Sequence, residues 1–154
     1  MNVNPSARLQ WPAWTAICCL AILAALVLGV GVGSHLVLRH VVQTAPLWIG
    51  VILGFRRSQL TGWAALPLFI FWFGLMTVIW LCLLGIAQLV HGSFSTLEIA
   101  MTVIVGLASI VGVAVFTRLK SSLSWITQIV LFIVMLAVQV GCFMCSFMPA
   151  IEHR

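Results

Sequence analysis

Between Arg8 and His35 the chain carries no Asp, Glu, Lys, Arg or His. The same holds between Arg57 and His91, from Ile99 to Thr117 and from Ser121 to Ile151. A helix rising 1.5 Å per residue needs about 20 residues to cross about 30 Å of hydrocarbon, and these runs supply that length or come close to it. Of the 154 residues, 64% are hydrophobic and 6% charged, whereas soluble domains carry about a quarter charged. Once the spans are subtracted, little chain remains for an aqueous domain. The expectation is a single membrane domain: an all-α, polytopic integral membrane helical bundle.

Five spans are expected, at residues 11–33, 35–55, 63–90, 98–117 and 124–148. The second is the ambiguous one. Taken from His35 to Phe55 it is about 31 Å long, enough to cross if Arg39 and His40 snorkel to one end. Taken from Val41 it is only about 22 Å, which suits a re-entrant or interfacial piece, and the bundle would then have four spans. Pro46 kinks either version. Gly31-Val32-Gly33 resembles a signal-peptide cleavage site, but the apolar run before it exceeds the usual h-region and the leader has little charge, so the run is taken as an uncleaved span.

Charge placement bears on topology. With five spans, Arg8, Arg56, Arg57, Arg118 and Lys120 fall on one side and Arg39 and Arg154 on the other; with four, Arg39 and Arg8 exchange sides and the bias is unchanged. Five spans also place Trp11, Trp14, Trp63 and Trp125 at one interface, as an aromatic belt requires. The basic side is then cytoplasmic, as in a bacterial inner membrane. Seven Lys and Arg, scattered at helix ends, fit anionic headgroups and not nucleic acid. The partners expected are the bilayer and other copies or a larger membrane complex.

Phe55 to Trp63 (FRRSQLTGW) and Phe116 to Trp125 (FTRLKSSLSW) echo one another: an aromatic end, basic residues, Ser and Leu, then a restarting Trp. The echo suits either a duplicated hairpin or the ordinary composition of a turn at the basic side of a membrane.

No GxSxG, HExxH, P-loop or dinucleotide fingerprint is present, and two acids, Glu98 and Glu152, offer little for acid–base chemistry. A site would have to come from the polar residues left in the spans. Five spans gather His35, Arg39, His40, Gln43, Gln88, His91, Glu98, Gln139, Cys142 and Cys145 at the end opposite the basic turns. His35, Arg39 and Gln43, four apart, are expected on one helix face. Glu98 either pairs with Arg39, because an intramembrane charge needs a partner, or caps its helix through Ser95 in an S-x-x-E box. The cluster could form a path for a solute or ion. His35 or His40 facing His91 could ligate haem or a metal, and Cys142 with Cys145 could form a thiol pair. No cofactor and no metal site is predicted.

The alternative is non-catalytic. Ala21, Ala25, Gly29 and Gly33 recur every four residues, and Gly50 and Gly54 repeat the spacing. Such small-residue faces let helices approach closely. The leading expectation is a small packing or accessory subunit, with a small-solute or ion transporter as the alternative.

Overall fold

The computed structural model describes residues 10–87, 95–148 and 151. Among them the chain is entirely helical: α1 (Trp11–Ala24), continued by a π-helical stretch (Ala25–Gly31), α2 (Val37–Thr44), α3 (Leu47–Phe55), α4 (Thr61–Leu83), α5 (Thr96–Phe116) and α6 (Trp125–Cys145). Four helices are long and apolar enough to cross a membrane: α1 with its π-helical extension, α4, α5 and α6. The pair α2 and α3, bent by 53°, makes up to a fifth crossing. The chain is an integral membrane bundle, as the uncharged runs require.

The bend has a local cause. Pro46 has no N–H to give the Val42 carbonyl, and its ring displaces the preceding turn. Val42 O instead accepts from Ala45 N at 3.3 Å. Despite the bend, α2 and α3 together run antiparallel to the first helix along most of its length. A methyl added at Gly54 would meet Pro12 O and Ala16, one at Gly50 would meet Cys19 Sγ, and one at Gly31 would meet His40 and Val37. These pairings carry the α2–α3 segment from the far end of the first helix back to its start, the path of a span made in two pieces.

Helix α4 departs from expectation at its far end. It starts at Thr61 and stops at Leu83, short of the Val90 expected from hydropathy. Gly85 adopts φ +73°, and the Ile86 N–H donates to Leu81 O while Gly85 N–H donates to Cys82 O, both at 3.0 Å. This Schellman closure ends the helix inside an apolar stretch, where hydropathy gives no stop signal. The other spans keep their expected bounds to within about two or three residues, the normal uncertainty of helix ends.

Aromatic side chains seated on glycines hold α4 to α5. Phe69 covers Gly112 and Trp80 covers Gly106, while Trp80 Nε1 donates to Thr102 Oγ1 at 3.0 Å. Phe69, Trp72, Leu68 and Met76 fill the centre with Ile22 and Leu47. Lipid is as apolar as these side chains, so close packing rather than escape from water holds the helices together. The small-residue faces serve the same purpose within the chain: Gly50 and Gly54 receive α1, and Gly29 lies under Met101 of α5. Gly33 is exposed, with Leu97 at ordinary contact distance.

This packing separates two glycine substitutions. Gly54→Ala places its Cβ 2.6 Å from Pro12 O, a backbone atom that cannot rotate away, and is expected to cost about 1–3 kcal/mol. Gly74→Ala meets nothing within 4 Å and is expected to be neutral or stabilising by up to about 1 kcal/mol through helix propensity. Thermal melts of the two variants in detergent measure the difference.

Candidate functional site

The polar residues of the spans collect at the end of the bundle where α2 begins and α6 ends. His35 does not join the helix face expected for it. It sits in the turn before α2 with φ +60°, closing the first helix with Leu36 N–H donating to Gly31 O at 2.9 Å and His35 N–H to Val32 O at 3.3 Å. A Schellman closure ordinarily has glycine at that position. Here His35 is exposed, one turn away from Arg39.

Beyond it, α2 meets α6 through side chains. The Arg39 guanidinium lies 4.1 Å from the centre of the Phe147 ring, within range of a cation–π contact. His40 Nδ1 is 2.9 Å from Leu36 O. Gln43 Nε2 donates to Ser146 Oγ at 2.9 Å, and Ser146 Oγ donates to Phe143 O at 2.6 Å. Gln139, wholly buried, sends Nε2 to the backbone carbonyl of Gln43 at 3.0 Å. That carbonyl belongs to the last turn before the Pro46 break, where the regular ladder is interrupted. A span can be broken inside a bilayer only if a neighbour satisfies the freed backbone, and Gln139 of α6 does so.

Glu98 occupies the cap. Its Oε2 accepts from Ser95 N at 2.7 Å and Ser95 Oγ at 2.9 Å, and its own N–H donates to Ser95 Oγ at 3.2 Å. Cys142 is partly buried and Cys145 exposed, both with free thiols. Gln88 and His91 lie outside the described residues, and with them the proposed histidine pairing. Among the described residues no three His, Cys, Asp or Glu side chains converge as metal ligands.

Ser146 and Phe147, which complete this end, escaped the sequence reading because a serine and a phenylalanine inside an expected apolar span of 124–148 carry no signal of their own; the helix in fact ends at Cys145. The opposite end holds a larger feature that it also missed. A cleft of about 840 Å³ opens between the start of α1, the α3–α4 turn and the α5–α6 turn, with Arg57, Arg118 and Lys120 on its walls. Trp63 and Phe116 meet edge to face at 5.2 Å beside it, and Ser122 Oγ donates to Gln59 Oε1 to join the two turns. Both echoing segments line this one cleft, so the signal was present in the sequence as the echo.

Comparison with known protein families, curated proteins and solved structures gives no match.

The carbonyl at the break gives a direct test. Gln139→Leu leaves Gln43 O without its donor and is expected to lower stability by about 1–3 kcal/mol. In a Pro46→Ala background, where the helix can run on through the break and Leu47 N–H can reach Gln43 O, the same substitution should cost less. A double-mutant cycle on melting temperatures would show no coupling if Gln139 merely fills space.

Proposed function

We propose that this chain is a non-catalytic integral membrane subunit that acts by packing against another copy of itself, oriented in a bacterial-type inner membrane with Arg56, Arg57, Arg118 and Lys120 towards the cytoplasm. The observation that carries this reading is how the intramembrane polar residues are used. Gln43, Gln139, Ser146, Thr102 and Glu98 bond to neighbouring helices or to their own helix end. Four of the five tie one helix to another and Glu98 closes its own cap, which is what a scaffold needs and a solute path does not.

The docking face is argued from shape. An apolar groove of about 390 Å³ runs between the π-helical stretch of the first helix and α5, with Ala24, Ala25 and Gly29 on one side and Leu97, Met101 and Ile104 on the other. Leu28 and Leu107 stand out to lipid at 67% and 57% exposure. A ridge and a groove on the same face let two copies related by a two-fold axis insert into one another, the self-complementary contact of a symmetric dimer. Ala24, the exposed small residue of the groove, permits the close approach such a contact needs. The basic turns on the cytoplasmic side follow the positive-inside rule.

One atom favours a second reading, passage of a small solute: Gln139 Oε1 is buried without a donor, as a binding group awaiting a ligand would be.

Light scattering of the purified chain in detergent and single-molecule photobleaching in liposomes test the dimer. Leu28→Trp or Ile104→Trp should weaken it by about tenfold or more in dissociation constant, whereas Val130→Trp, on the outward face of α6, should leave it intact. A chain that is monomeric at every concentration in both media, or that conducts a solute while monomeric, removes this reading.

A further inference from the structure

The cleft at the basic end has a composition that the packing of a helical bundle does not require. Arg57 comes from the turn after α3; Arg118 and Lys120 come from the turn after α5. Cations past a helix C-terminus ordinarily serve its dipole or reach headgroups individually. Here three converge on one cavity, and the only carboxylate among the described residues, Glu98, sits at the other end of α5. Arg56, adjacent in sequence to Arg57, does not line the cleft.

The walls are held in place. Arg57 has φ +53°, a left-handed conformation that costs a non-glycine residue free energy. Schellman bonds fix it there, with Ser58 N–H donating to Leu53 O at 3.0 Å and Arg57 N–H to Gly54 O at 3.1 Å. Thr61 Oγ1 ties the same turn by donating to Leu53 O at 2.9 Å and Ser58 O at 2.7 Å. Gln128 Nε2 holds the other turn through Leu123 O at 2.9 Å, and the Ser122–Gln59 bond locks the two together. A strained residue retained where glycine would be relaxed is the pattern of a position kept for its side chain.

We infer that this cleft binds a phosphate-bearing anion with an organic moiety. Two guanidinium groups and an ammonium group, with no carboxylate beside them among the described residues, suit a multiply charged oxyanion, since the guanidinium fork matches phosphate oxygens. Helices α1 and α4 begin beside the cleft, at Trp11 and Pro12 and at Gly62 and Trp63, so the positive ends of two helix dipoles lie near it together with the C-terminal ends of α3 and α5. The volume falls in the range of small-molecule sites, about 300–1,000 Å³, more than a bare ion fills. Trp63, Phe116 and Trp11 supply an aromatic wall for the rest of the ligand, at the depth where tryptophan marks the membrane interface. Both a phospholipid headgroup and a soluble phosphate ester present this chemistry. This inference concerns the basic end alone and does not depend on the dimer.

The full chain in nanodiscs of zwitterionic phosphatidylcholine distinguishes the two sources. One arm titrates the mole fraction of phosphatidylglycerol, reading retained lipid by native mass spectrometry and the melting temperature. The other titrates glycerol 1-phosphate in solution, reading tryptophan fluorescence and the melting temperature. Saturable binding in the first arm alone assigns a lipid headgroup; saturable binding in the second assigns a soluble ester; either supports the inference. Arg118→Gln and Lys120→Gln should each weaken binding by about tenfold, the scale of one charge-assisted hydrogen bond, while Arg56→Gln changes it less than about twofold. Lys120→Gln, on an exposed turn, keeps the test valid if Arg118→Gln fails to fold. Absence of saturation in both arms, or an equal loss from Arg56→Gln, overturns the inference, because a diffuse surface potential would not distinguish adjacent arginines.

Discussion

The close approach of α3 to α1 is the contact on which the rest of the bundle depends. Gly50 and Gly54 bring the backbone of α3 against Cys19, Ala16 and Pro12, nearer than any side chain larger than hydrogen would allow. With α3 fixed there, its C-terminal turn must lie beside the start of α1, which puts Arg57 next to Trp11 and Pro12 in the cleft. The same contact sends α2 to the other end, where Gln43 meets α6. Two glycines thus decide which residues share each interface of the membrane.

A broken span is costly in hydrocarbon, where no water can replace a lost backbone partner. The chain meets that cost with Gln139, a residue that hydropathy alone would mark as misplaced in an apolar helix. The bonds of Gln43 and Ser146 tie the same two helices a turn further on. The polar residues at this end therefore explain one another, and the bend at Pro46 explains why polar residues are present there.

Much of this was legible in the sequence. Uncharged runs located the spans, Pro46 located the bend, and Ser95 with Glu98 announced the cap that forms. Other features depended on local conformations that residue type does not encode. His35 leaves the expected face because it takes a left-handed turn, and α4 ends at Leu83 because Gly85 does the same in an apolar setting. The four-residue spacing of Gly50 and Gly54 marks a face that a helix can approach closely, but such spacing says nothing about which helix arrives, and here α1 of the same chain lies against it. The FRRSQLTGW and FTRLKSSLSW echo was visible as a pattern, while its meaning required two turns, distant in sequence, to be brought together.

The π-helical stretch from Ala25 to Gly31 has a consequence for anyone mapping the first helix by scanning substitutions. Bonds from i to i+5 place more residues in each turn than an α-helix holds, so the angular position of every residue after Ala24 is shifted from that of a uniform wheel. Ala25 and Gly29 are buried, as an α-helical stripe continued from Ala21 would have them, yet Gly31 is buried too and Gly33 faces outward. A helical-wheel diagram drawn from Trp11 would keep its order as far as Gly29, beside the groove, and would exchange the inward and outward positions at Gly31 and Gly33.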